Sequence, residues 1–179
     1  MSADRGSESG SGLLRHRGEA LDEVATVVVT VSDTRTPETD TGGALVAERL
    51  EAVGHRVAGR VLVPDESRQI ADAVRAALGR ADVGAVIVTG GTGVAPRDVT
   101  PEAVAPLLDR EIPGFGEIFR MLSYEEVGSA ALLSRALAGL ADGRVVFVLP
   151  GSRGALGLAL EKLILPELGH LAAEAVKGR

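Results

Sequence analysis

The sequence has no cysteine and no tryptophan. Without cysteine there is no disulfide framework, no thiolate zinc site and no cysteine nucleophile. Histidine is scarce: His16, His55 and His170 do not fall at a metal-ligand spacing, so a histidine zinc centre is not expected. Aromatic residues make up 2% of the chain, too few for the stacking platforms on which single-strand binders hold bases. Basic charge is in deficit, with 19 Lys and Arg against 25 Asp and Glu and a formal net charge of −6. That is the wrong sign for an electrostatic nucleic-acid footprint. No apolar run approaches the ~18 residues that a membrane-spanning helix needs. The stretch from Met1 to Gly12 is polar and lacks the apolar core of a secretory signal, so a cytoplasmic location is expected.

What remains is a chain of 179 residues, the length of one domain. Hydrophobic residues are 45% of it, and the core must be built from Val, Leu, Ile and Ala. Residues 1–22 read as a disordered tail, because Ser2, Ser7, Ser9 and Ser11 alternate with glycine and charge and nothing there can bury apolar area. Residues 23–179 read as a single α/β domain.

The folded part alternates strands and helices. Val24 to Val31 is β-branched and apolar without strict alternation, the pattern of a parallel strand buried on both faces. Helical spacing follows from Thr41 to Val53, with Gly54 as its stop. Arg56 to Val63 is a second strand, and Asp65 or Ser67 is positioned to cap a helix reaching about Leu78. Val83 to Thr89 is a third strand. Thr100-Pro101-Glu102 reads as a helix start, with Thr as cap and Pro in the first position. Ile118 to Leu122 and Leu132 to Leu140 read as helices, and Arg144 to Leu149 as a fourth strand. Helices from about Gly154 to Leu165 and from Pro166 to about Val176 close the chain. This order predicts a three-layer α/β/α sandwich with a mainly parallel sheet, whose ligands sit beyond the carboxyl ends of the strands.

Four loops follow strand ends, and they hold the unusual residues. They are Ser32-Asp33-Thr34-Arg35, Pro64-Asp65-Glu66, Gly90 to Thr100, and Pro150-Gly151-Ser152-Arg153. In the third, Gly90, Gly91 and Gly93 let the backbone approach an anion closely, and Thr92 and Thr100 add hydroxyl donors. The helix start at Pro101 would add a positive dipole end. The loop is neither a Walker A motif, lacking Gly-Lys-Ser/Thr, nor the dinucleotide fingerprint, since Pro96 occupies the third glycine position. Asp98 inside a phosphate-cradling loop would repel its ligand unless a divalent cation lay between them. Mg²⁺ takes one or two carboxylates with phosphate oxygens and water, and Asp65 at the neighbouring strand end offers the second carboxylate. That pair points to metal-assisted phosphoryl or nucleotidyl transfer. The bland alternatives are that Asp65 caps a helix and that Asp98 is a turn acid paired with Arg97 or Arg110. Arg135 reads either as a bidentate clamp for an anionic substrate or as a surface ion pair. Ser152 reads as a phosphate ligand, a helix cap, or both.

Taken together, Gly90-Gly91-Thr92-Gly93, Arg97 to Glu102, Asp109 to Glu117, Phe119 to Ser123, Leu133 to Ala136 and Leu149 to Ser152 resemble the MogA/MoaB family of molybdenum-cofactor biosynthesis. The likeness covers about residues 24–170. It implies an α/β domain assembling as trimers or hexamers. It also implies a MogA-type reaction in which molybdopterin is adenylylated by Mg-ATP with release of pyrophosphate, followed by hand-over to a molybdate-inserting enzyme. By this resemblance Asp65 and Asp98 are catalytic and metal-linked. Ser32, Asp33, Gly90, Gly91, Thr92, Gly93, Thr100, Ser123, Ser134, Arg135, Pro150, Gly151 and Ser152 bind substrate. Phe119 to Glu126 resembles the MoaB branch, some members of which lack the acid after the second strand, whereas this chain keeps it as Asp65. The alternative implied is a non-catalytic molybdopterin-binding protein of the MoaB type.

Overall fold

The structure, a computed structural model, describes residues 20–177. The tail expected over residues 1–22 therefore lies mostly outside the described residues. At its end, the Leu21 N–H donates to Gly169 O at 3.1 Å.

Six strands form one sheet: β1 Ala25–Val31, β2 Arg56–Val63, β3 Ala85–Thr89, β4 Arg110–Glu111, β5 Leu137–Ala141 and β6 Arg144–Leu149. Their spatial order is β2-β1-β3-β6-β5-β4. β1 pairs in parallel with β2 and β3, and β3 with β6, while β5 runs antiparallel to β6 and to β4. The parallel strands are apolar without alternation because both faces are covered. Val28, Ile87 and Phe147 enter one core, and Val27, Val29, Val86, Val88, Val146 and Val148 enter the other.

The first core is closed by helices α1 (Thr41–Ala52), α4 (Pro113–Val127), α5 (Arg153–Ala159) and α6 (Leu165–Val176), through Leu50, Phe119, Leu156 and Leu168 among others. The second is closed by α2 (Ser67–Leu78) and the short α3 (Thr100–Val104), through Ile70, Val74 and Val104. The result is the three-layer α/β/α sandwich expected from the sequence. α1 leads from β1 to β2 on one side, and α2, on the opposite face, carries the chain from β2 back past β1 to β3 on the other. The crevice where such windings diverge, at the carboxyl ends of β1 and β3, is where open α/β sheets hold ligands.

Three local expectations are corrected. Leu132 to Leu140 is not a helix: a 3₁₀ segment covers Gly128–Leu133 and β5 begins at Leu137. Leu and Ala favour helix, but this segment lies beside β6 in a hairpin whose turn, Asp142-Gly143, has φ of 51° and 72° at its two residues. An Asp-Gly pair at positive φ is the turn that joins two twisted strands. Position 139 takes glycine because a Cβ there would stand 2.6 Å from Arg110 O of the adjoining β4. Second, α2 is capped by Glu66 without a side-chain bond, so neither Asp65 nor Ser67 is its cap. Third, α5 and α6 are joined by a π-helical turn over Leu160–Ile164. Pro166, at the second position of α6, has no N–H to give and crowds the carbonyl one turn back, which the wider turn accommodates.

Candidate functional site

The loops after β1, β2, β3 and β6 meet at one edge of the sheet. Beside them lies a cavity of about 600 Å³, within the range of small-molecule sites. Its polar side is formed by Gly90, Gly91, Thr92, Gly93 and Asp98 from the loop after β3, Ser123 of α4, Ser134, and Pro150, Gly151 and Ser152 after β6. Every one of these was a candidate from sequence. Asp65, Thr100, Arg135, Ser32 and Asp33 lie outside the cavity lining.

Backbone geometry forces the glycines. Gly90 has φ of 106°, and a Cβ there would sit 2.2 Å from Val31 O. Gly91 has φ of 61°, and its Cβ would meet Thr100 Oγ1 at 2.4 Å and Asp65 Oδ1 at 2.6 Å. Gly93 lies so close to Asp98 that a Cβ would stand 2.7 Å from Oδ2. The two loops also touch each other, since a Cβ on Gly151 would lie 3.4 Å from Gly90 Cα.

Arg135 holds the β3 loop in place. Its Nε donates to Gly93 O at 2.7 Å and its Nη2 to Asp98 O at 2.6 Å, while Nη1 pairs with Glu102. The Arg135 N–H adds a bond to Thr92 O at 3.2 Å. Its guanidinium thus holds two carbonyls of the loop and pairs with Glu102. Thr100 is corrected in role. Val99 occupies the cap position of α3, and the helix, five residues long, is too short for a substantial dipole end. The Thr100 N–H closes the loop onto Gly91 O at 3.1 Å. Its buried Oγ1 has no hydrogen-bond partner, and neither does that of Ser134, whose Oγ is likewise buried at the cavity. Buried hydroxyls without partners are uncommon and mark places where a bound group can supply the missing bond.

Two carboxylates flank the glycine loop, Asp65 against Gly91 and Asp98 against Gly93. Burial pushes the Asp65 carboxyl above its ordinary value, and the negative charges of Asp33 and Asp98 add to that rise, against Arg97. A cation between the acids would relieve this repulsion. Asp98 Oδ2 accepts from the Ala95 N–H at 3.1 Å. Its expected pairing with Arg97 or Arg110 is not found, because Arg97 turns to Asp33 and Glu66. Among the described residues no three His, Cys, Asp or Glu side chains form a metal-ligand group. Two carboxylates beside an anion cradle do suit Mg²⁺, which completes its shell with phosphate oxygens and water.

Ser32 lines a smaller cavity of about 100 Å³ under Gly90 and Gly151. There its Oγ accepts from the N–H groups of Thr34 and Arg35, each at 3.2 Å. Asp33 lies beyond it with both carboxylate oxygens engaged. Oδ1 accepts from the Asp65 N–H at 3.0 Å and from Arg97 Nη2 at 3.0 Å, and Oδ2 accepts from Arg97 Nε at 2.8 Å. Both of its oxygens are thus held by the loops after β2 and β3. Ser152 caps α5, its Oγ accepting from the Ala155 N–H at 3.4 Å.

The apolar wall of the large cavity was missed at the level of residues. It comes from Phe119 and Val127 of α4, Ala130, Ala131 and Leu133 of the 3₁₀ segment, and Ala155 and Leu158 of α5. The uncharged stretch from Val127 to Leu133 is the signal that could have revealed it. No Lys or Arg lines the cavity among the described residues, whereas Asp98 and Glu126 do.

Comparison with known proteins agrees with this geometry. A family model described as "Probable molybdopterin binding domain" matches residues 27–170. Molybdenum cofactor biosynthesis protein B of Halalkalibacterium halodurans is 52% identical over 166 residues, covering 92% of this chain and 98% of that protein. A crystal structure of a molybdenum cofactor biosynthesis protein B superposes with a TM-score of 0.84 at 53% identity, covering 86% of this chain and 96% of the other. The tungsten cofactor synthesizing protein MoaB from Pyrococcus furiosus superposes with a TM-score of 0.78 at 38% identity, covering 87% and 99%. The matched span runs through every loop of the site, and the chain belongs to the molybdopterin-binding family of molybdenum cofactor biosynthesis proteins.

Proposed function

We propose that the protein adenylylates molybdopterin. The terminal phosphate of molybdopterin attacks the α-phosphorus of ATP, the bond from that phosphorus to the bridging oxygen of the β-phosphate breaks, and pyrophosphate leaves. The observation that carries this reading is the placement of Asp65 and Asp98 on the two sides of the Gly91–Gly93 turn, beside a cavity that no basic side chain lines among the described residues. A pocket built only to bind a phosphorylated ligand gains nothing from two carboxylates.

The attacking phosphate is already ionised, so no general base is needed. The chain's contribution is orientation and fixed polarity. Glycine backbone and the hydroxyls of Thr92, Ser123 and Ser134 hold the phosphates and polar edges of the ligands. The buried Phe119 and Leu158 exclude water from one side of the cavity. Asp65 and Asp98 are the residues that would hold Mg²⁺. Bound there, the ion would neutralise charge on the transferring phosphoryl group.

A second reading is a molybdopterin-binding protein without turnover. The apolar wall and the printed names of the relatives, molybdenum cofactor biosynthesis protein B, favour it as much as the first. Incubation with molybdopterin, ATP and Mg²⁺, followed for pyrophosphate and adenylyl-molybdopterin, separates the two. Product from the parent protein that is lost in Asp65→Asn supports catalysis, whereas tight binding without product supports the second reading.

A cytoplasmic homo-oligomer, trimer or hexamer, that passes its product to a molybdate-inserting enzyme completes the proposal. Ile118, Met121, Tyr124, Val127, Leu132 and Leu133 are exposed together along α4 and the 3₁₀ segment, a face suited to a subunit contact.

A further inference from the structure

Arg97 does not line the large cavity, yet it reaches across the loops after β1 and β2 from the loop after β3. Its Nε and Nη2 grip both oxygens of Asp33 at 2.8 and 3.0 Å, and its Nη1 donates to Glu66 Oε1 at 3.0 Å. Asp33 in turn clasps Asp65. Its Oδ1 accepts the Asp65 N–H at 3.0 Å. Glu66 is the neighbour of Asp65 in the chain, so the one guanidinium fixes the chain on both sides of that acid.

We propose that Arg97 is a positioning residue which, through Asp33, sets the Asp65 carboxylate against the glycine loop. For its effect on turnover this rests on the adenylylation reading. The geometry argues for orientation rather than for stability. Arg97, Asp33 and Glu66 are 56%, 39% and 52% exposed, and ion pairs at such exposure contribute little to folding. A bidentate fork, however, fixes direction in a way a point charge cannot, so lysine at this position keeps the charge but loses the geometry.

The test compares the full chain with Arg97→Gln and Arg97→Lys. Amide hydrogen exchange at Asp65 reads the clasp directly and does not depend on activity. The expected result is exchange at the Asp65 N–H about tenfold faster or more in both variants, with Val88 in the core unchanged and little loss of thermal stability. In the adenylylation assay kcat falls by about tenfold or more in both variants, with molybdopterin affinity retained. Unchanged Asp65 exchange in Arg97→Gln would overturn the proposal whatever the turnover. A parent protein with no turnover would instead overturn the adenylylation reading, while the exchange data still decide the clasp.

Discussion

Asp65 illustrates how the site trades stability for chemistry. Burial and then the charges of Asp33 and Asp98 hold its carboxyl above the ordinary value of 3.8. A carboxyl raised on folding favours the folded state at pH values below its unfolded pKa, and that contribution is lost as pH rises through the folded pKa. At neutral pH the ionised Asp65 is therefore a burden. Asp65→Asn is expected to raise Tm at pH 7, with the difference fading toward pH 3.8, while abolishing adenylylation. Mg²⁺ should raise the Tm of the parent protein and have less effect on this variant, because a ligand stabilises only the state that binds it. Scanning calorimetry across pH, with and without Mg²⁺, checks both. Gly91→Ala tests the loop itself. At φ of 61°, with Asp65 Oδ1 only 2.6 Å from the new Cβ, it should cost about 1–3 kcal/mol by urea unfolding and reduce turnover. Most of this site was legible in the sequence, because glycines, hydroxyls and acids cluster after strand ends for few other reasons. What was not legible was which side chains are spent on the protein. Spacing left Arg135 open between an anion clamp and a surface ion pair, and only the fold shows its fork closed on the carbonyls of Gly93 and Asp98.

At the scale of elements, the start of α1 rests on Asp40, which is 6% exposed. Its Oδ1 accepts from the Gly43 N–H at 2.8 Å, and its Oδ2 accepts from Thr30 Oγ1 at 3.0 Å and Arg60 Nη2 at 2.8 Å. Burial pushes its carboxyl up, but these donors together outweigh that and hold it below the usual range. The interaction thus stabilises the fold above the unfolded pKa and is lost as pH falls through the folded one. Asp40→Ala removes a helix cap and leaves Arg60 without its buried partner. It should cost about 2–4 kcal/mol by chemical denaturation at pH 7 and less below pH 3.8. The parallel strands were readable because burial on both faces leaves an uninterrupted β-branched run, as from Val27 to Val29. β5 was not, because its small residues, Ala138, Gly139 and Ala141, are dictated by neighbours rather than by strand preference. The signal that could have revealed it was Asp142-Gly143. Gly143→Ala, at φ of 72°, should cost about 1 kcal/mol.

At the scale of the whole molecule, an apolar face along α4 and the 3₁₀ segment is uncovered. Leu132 is 80% exposed and Tyr124 is 63% exposed. Composition could show that this stretch lacked charge but not which way it faced, since core and interface draw on the same residues. Met121→Glu with Leu132→Glu is expected to convert an assembled protein to monomers in sedimentation velocity while leaving secondary structure unchanged.

Asp65 and Asp98, beside the glycine loop, are proposed to hold the metal ion for nucleotidyl transfer. The measurement that tests it most directly is single-turnover incubation of the purified protein with molybdopterin, ATP and Mg²⁺, following pyrophosphate and adenylyl-molybdopterin together, with Asp65→Asn and Asp98→Asn in parallel. The account predicts stoichiometric formation of both products by the parent protein and loss of at least about a hundredfold in either variant, the scale of removing a metal-linked acid. Saturable molybdopterin binding by all three proteins with no pyrophosphate from any would contradict it.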